Sequence, residues 1–326
     1  MASAMSESRP RVVITGMGAI TPIGLSVGEF WRNLVAGKGG IGPITQFDAA
    51  SFPVKVAGEV RDFDPTQFME EKRADRTGRC AQFALAAAKM AVKDARLDMA
   101  CEQPEKVGVI IGTNGMPELL AEQAQVIATR GPMRVDPLIV SKFRASMVPA
   151  HVGLEIGAKG INSSINSACN SGNDALGMAL SFIRLGYADA ILAGGAGANV
   201  TALAIAATNR IGALSREPDP TRACRPFDLN RTGFVYGEGA GVLGGDRLAK
   251  LRKAKAQMDP QGLLNPGKVL NGGTVSSALG LAQKLEPVIR PFANAAKSPI
   301  GERPTKNEVA GLPGDVAWYS YTCAQC

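Results

Sequence analysis

Short β-branched runs that end in glycine set the pattern of this chain, RVVI at residues 11–14 and VGVII at 107–111. Runs of this kind read as buried strands feeding turns. Helical periodicity lies between them. At Ser26 an S-x-x-E sequence places Glu29 to complete a capping box; the helix continues through Phe30, Trp31 and Leu34 and stops at Gly37. A second helix covers about 79–95, where RCAQFALAAAKMAVKDA is rich in Ala, the best helix former. Further on, INSSINSA at 161–168 predicts a strand, and the residues after Cys169 predict a helix with Leu176, Leu180 and Ile183 on one face and Gly186 as terminator. AILAGG at 190–195 predicts another buried strand. Strand, tight turn, helix and strand in that order make an α/β layered fold with a substantially parallel or mixed sheet.

After about residue 248 the texture changes. A basic stretch, LAKLRKAKAQ, gives way to Pro and Gly punctuation, and from about 271 no periodicity is sustained. A boundary is therefore expected there, between a domain over 1–248 and a divergent tail over 249–326. Hydrophobic residues at 45% and charged residues at 20% are those of a soluble globular protein. The opening MASAMSESRPR lacks the apolar run of a secretory signal, and no stretch is long and uncharged enough to span a bilayer, so a cytoplasmic location is expected.

A net charge of +7 favours an acidic partner. Aromatic residues are only 5% and no long basic run is present, which argues against nucleic acid and leaves an acidic carrier protein as a fitting partner. Six scattered cysteines make no disulfide framework in a chain this long, so most should be free thiols. One of them stands apart. Cys169 in NSACNSG sits between the strand and the helix, and Gly172 permits a tight turn. A sulfur at a helix N-terminus meets unpaired N–H groups and the positive dipole end, which lower a thiol pKa from about 8.5. The same N–H groups can hold the oxyanion that thioester attack develops.

Five segments in order resemble the β-ketoacyl-acyl-carrier-protein synthases of the chain-elongating, synthase II type. They are RVVITGMGAITPIG at 11–24, FWRNLVAGKGGIGPITQFD at 30–48, NSACNSG at 166–172, ADAILAGGA at 188–196, and ALSREPDPTRACRPFDLNRTGFVYGEGAGVL at 213–243. The resemblance implies a thiolase-like layered fold whose first half is complete and whose second half is largely missing or replaced. It also implies a two-stage reaction of fatty acid or polyketide synthesis, with no metal or redox cofactor. Cys169 first takes an acyl group from a carrier-protein thioester; malonyl-carrier protein then loses carbon dioxide and its carbanion attacks the acyl-cysteine.

Family members carry out the second stage with two histidines and a lysine from the second half of the fold. Here the single histidine, His151, matches a helix position that is usually structural. The chain is thus expected to be incomplete for condensation, either an acyltransferase halted at its first stage or a catalytically inactive subunit that binds acyl chains or a partner synthase. The resemblance further implies carrier docking through the basic cluster Lys72, Arg73, Arg76 and Arg79, with a solvated helix face as the plain alternative. It implies pairing as a homodimer, and it puts Thr208 near the acyl pocket, where an aromatic gate is common. Gly197 and Thr232 stand at positions where acidic residues are usual.

Two other patterns compete. TGMGAI offers Gly16 and Gly18 after a strand but lacks the third glycine of a dinucleotide fingerprint, so it reads as the first strand-to-turn junction. KAQMDPQGLLNPGKVL at 255–270 resembles the C-terminal end of FAD-linked oxidases of the glycolate-oxidase type, with no flavin domain before it. Cys323 and Cys326 form a lone CxxC, which without a second pair reads as incidental rather than as a metal site.

Overall fold

The computed structural model describes residues 11–247. The oxidase-like segment, the CxxC pair and the tail over 249–326 lie outside the described residues. The principal elements, in order, are β1 (Val12–Ile20), α1 (Val27–Val35), α2 (Arg79–Ala95), β2 (Val107–Gly112), α3 (Leu119–Arg130), α4 (Met147–Ile156), β3 (Asn162–Ile165), α5 (Ser171–Arg184), β4 (Ala190–Ala198), α6 (Ala202–Arg210) and β5 (Glu238–Arg247); loops, short helical turns and a two-residue strand pair, Gly42–Pro43 with Val56–Ala57, lie between them. The five strands form one mixed sheet in the order β1-β5-β4-β2-β3. β2 runs parallel to both β3 and β4, whereas β5 is antiparallel to β1 and β4.

Strand alternation builds the core as two layers. Val109, Ile111, Leu192 and Val242 face α2, whose Phe83, Leu85 and run of alanines are fully buried there. Ile110, Ile191 and Ala193 face the other way, onto Ala175, Ala179 and Ile183 of α5. Helices on both faces explain why every residue of β2 is buried. The first helix starts as its pattern predicts: the Ser26 hydroxyl accepts from the Glu29 N–H at 3.2 Å. The Glu29 carboxylate, however, reaches the N–H of Leu25 rather than that of Ser26. α2 spans the predicted residues without change.

Three expectations need correction. TGMGAI is no turn junction, because β1 runs on to Ile20 with an irregularity in register between Ile14 and Gly16. Its glycines are there for close approach. A Cβ on Gly16 would lie 2.1 Å from the Ala91 carbonyl oxygen, and one on Gly18 would lie 1.8 Å from that of Ala87, so α2 can lie against β1 only over bare backbone. The strand predicted over 161–168 ends at Ile165, since the Ser171 hydroxyl draws the next residues into a turn. On α5 the sheet-facing residues are Ala175, Ala179 and Ile183; Leu176 and Leu180 are only half-buried. Small alanines let the helix sit close to the glycine-rich strand ends, and the leucines are rotated to the flank.

His151 is a core residue of α4. Its ring meets the Ser141 carbonyl oxygen at 3.3 Å, and its own carbonyl accepts from Arg73 at 3.0 Å. Burial, and secondarily the charge of Arg73, push its pKa below 6.5, although the contact to Ser141 works the other way. The fold therefore prefers the neutral ring. Its contribution to stability is whole above pH 6.5 and is lost as the pH falls through the lowered value. Urea midpoints should drop between about pH 6.5 and 5 by more in the wild type than in His151→Gln; equal drops would exclude the ring as their source.

Candidate active site

Cys169 lies where β3 has ended and α5 is about to begin. Ala168 takes a left-handed φ of 56°, Asn170 is the N-cap, and the helix starts at Ser171. This turn is tied from inside. The buried Ser171 hydroxyl donates to the Ala168 carbonyl at 2.5 Å and accepts from the Ser167 N–H at 2.9 Å. On the outside, Asp174 accepts from the Asn170 amide at 2.7 Å and from the Ser167 hydroxyl. The helix start thus has a fixed shape, and Cys169 itself is exposed. The Cys169 sulfur is engaged in a disulfide in this structure, so the nucleophile is available only after reduction.

Glycines at the strand ends allow the helix start to sit directly on the sheet. A Cβ on Gly112, the last residue of β2, would come 2.2 Å from the Ser171 carbonyl carbon, and one on Gly172 would lie 3.5 Å from the Cα of Gly195 on β4. Two of the first backbone N–H groups are already used, Ser171 to Ala168 and Asp174 to Asn170. Those of Gly172 and Asn173 have no backbone acceptor among the described residues and are donors at the helix's positive end. Asp174 puts a carboxylate into the same first turn, which opposes an anion there, but its oxygens are occupied by Asn170 and Ser167.

Cys169 opens onto a cleft of about 840 Å³ that is mainly apolar, lined by Met17, Val27, Phe30, Leu176 and Leu243 among others. The hydrophobic pattern picked out Phe30 and Leu176 on their helices but did not join these residues into one cleft, because they come from four separate elements. The glycines beneath Cys169, Gly112 at the end of β2 and Gly194 and Gly195 within β4, were the available signal. The other described cysteines differ in kind. Burial drives the Cys80 thiol up to about 11, a hydrogen bond to Asp98 raises that of Cys101, and burial raises that of Cys224.

The expected docking residues divide into two pairs. Arg79 bonds both carboxylate oxygens of the buried Glu238 and the Val60 carbonyl, and Arg73 pairs with Glu155. Lys72 and Arg76 are exposed. Thr208 does not line the Cys169 cleft; its hydroxyl meets that of Tyr236 at 3.0 Å. Thr232 is bonded to Ser215 at 2.7 Å, and Gly197 has open space where a side chain would stand. Among the described residues no group of three His, Cys, Asp or Glu could hold a metal ion, and no helix is long and apolar enough to cross a membrane.

Comparison with known proteins places this geometry. The family model for the N-terminal domain of β-ketoacyl synthases matches residues 9–244. A 3-oxoacyl-[acyl-carrier-protein] synthase 2 of Synechocystis sp. is 42% identical over 237 residues, which are 72% of this chain and 57% of that protein. Among solved structures, the ishigamide ketosynthase/chain length factor aligns at 35% identity with a TM-score of 0.68, covering 76% of this chain and 60% of that one. A type II polyketide ketosynthase, bound to its acyl-carrier protein, aligns at 31% identity with a TM-score of 0.66 and the same coverage. The chain therefore spans under two thirds of the length of these relatives. Their thiolase-like layered fold is the one seen here, as far as the chain extends. Since the family model takes in well over half of its residues, the chain belongs to the β-ketoacyl synthases through their N-terminal domain.

Proposed function

We propose that this chain carries out the acyl-accepting stage of a ketoacyl synthase reaction in fatty acid or polyketide synthesis, with Cys169 as nucleophile. The observation that carries the reading is an exposed cysteine held at the start of α5, at the edge of an apolar cleft. The thiolate attacks the carbonyl carbon of an acyl thioester on a carrier protein. The oxyanion of the tetrahedral intermediate finds donors in the backbone N–H groups of Gly172 and Asn173. Collapse breaks the bond to the carrier sulfur, which leaves as a thiol after taking up a proton, and the acyl group stays on Cys169. The apolar cleft suits an alkyl chain.

Condensation is a different matter. The only histidine of the chain sits in α4, is hydrogen-bonded to Ser141 and does not line the cleft. Stabilising the charge that develops as malonyl thioester decarboxylates typically supplies about 3 kcal/mol or more, and no second histidine is present to do so. A partner synthase that supplies this half fits the molecule; pairing with a second copy would leave condensation incomplete, since each copy carries the same single histidine. α3 buries none of its residues, and Leu120 and Ile127 on it, with Met133 and Val140 beyond, are exposed apolar side chains. A cytoplasmic location accords with this chemistry.

Lys72 and Arg76 would receive the acidic carrier. Reversing both charges is expected to slow acyl transfer from carrier protein by roughly tenfold or more through lost electrostatic steering, while alkylation of Cys169 proceeds unchanged; equal slowing of both reactions would remove the docking role. The reduced chain, given malonyl-carrier protein labelled in its free carboxylate, is expected to release almost no labelled carbon dioxide. Release at the rate of a complete synthase would show that the chain carries out condensation alone.

A further inference from the structure

We propose that the cavity between residues 51–53 and the C-terminal end of α6 is a binding site for a phosphoryl oxyanion, separate from the Cys169 cleft. Its volume is about 430 Å³, and Ser51, Phe52, Asn209, Arg210 and Arg216 line it; it shares no lining residue with the cleft. Asn209 is the fixed point, only 8% exposed. Its amide oxygen accepts from the Arg216 Nε at 3.0 Å, which orients that guanidinium and leaves its remaining N–H donors without an acceptor among the described residues. The Asn209 amide N–H₂ has no protein acceptor among the described residues.

Charge balance points the same way. Neither Arg210 nor Arg216 forms an ion pair among the described residues, and no carboxylate lines the cavity. The acidic side chain next in sequence, Glu217, is turned to Arg222 at 4.0 Å and to the Asp219 N–H at 3.2 Å. Two arginines, Asn209 and Ser51 line one space that no acidic residue lines. Like charges brought together without a counterion repel, and a dianion removes that cost. Guanidinium forks match the oxygens of a phosphoryl group in pairs, which favours phosphate over a singly charged carboxylate. The group could arrive as free phosphate or as the phosphate of a larger molecule, and the experiment separates the two.

The reduced full chain is titrated calorimetrically with inorganic phosphate, ionic strength being held constant with chloride. Saturable binding at one site is expected, weakened roughly tenfold or more in Arg210→Ala and in Arg216→Ala. Among the described residues the Arg210 guanidinium holds no other side chain, so Arg210→Ala should keep the wild-type unfolding midpoint, and its loss of affinity then reports the site alone. A parallel titration uses 4′-phosphopantetheine. Tighter binding than phosphate, with the same loss in Arg210→Ala, assigns the phosphate of a larger molecule; equal or weaker binding assigns the free ion. No saturation up to about 10 mM phosphate, or wild-type affinity in the double variant, overturns the proposal.

Discussion

Arg79→Ala is expected to lower the unfolding free energy by about 3 kcal/mol or more, because it strands a carboxylate that has no access to water. The Glu238 side chain is 0% exposed, and Arg79 meets it at 2.7 Å. The remaining donor on Glu238 is the Val60 N–H at 2.9 Å, which does not neutralise its charge. Arg79 opens α2, where the helix dipole disfavours a cation, so the position makes sense only as the partner of Glu238. Adding Glu238→Gln to the variant should recover much of the loss, since an amide leaves no buried charge. Denaturant unfolding of the two single variants and the double variant checks this, and strictly additive losses would mean that the pair is not the cause.

The second large effect concerns selectivity among thiols. With iodoacetamide at pH 7 and prior reduction, Cys169 should react at least tenfold faster than Cys80, Cys101 or Cys224, as mapped peptide by peptide. A thiol held near 11, as Cys80 is, leaves about one thiolate in ten thousand at that pH. Cys101 is exposed but faces the Asp98 carboxylate, which disfavours its anion. Among the described cysteines only Cys169 combines exposure with a helix start. Comparable labelling of Cys101 would show that exposure alone decides the rate.

Much of the frame was legible in the sequence because local signals and tertiary packing agree there. α2 is nearly all alanine where it touches the sheet, so its helical propensity and its burial coincide from Arg79 to Ala95. The β2 run is apolar on both faces because helices cover both. Where a side chain serves a neighbour remote in sequence, the pattern misleads. Gly16 and Gly18 looked like a turn because glycine usually marks one, yet they are strand residues pressed against the α2 backbone. Leu176 looked like core by its spacing but lines the cleft, while Ala175 and Ala179 take the sheet contact.

The candidate site divides in the same way. The position of Cys169 could be read from a strand, a glycine and a helix in succession, since each is a local feature. The partition of the basic cluster could not, because Glu238 is 159 residues from Arg79 in sequence and Glu155 is 82 from Arg73. Thr208 drew attention through resemblance alone, and its bond to Tyr236 across 28 residues is equally invisible to periodicity.

The most direct test of the account is where an acyl group goes. Reduced protein is incubated with acyl-carrier protein, and the product is weighed intact and then mapped by peptide mass. One acyl group per chain, located on Cys169 and absent from Cys169→Ala, is the predicted result. An acyl group found on another residue, or retained by Cys169→Ala, would contradict it.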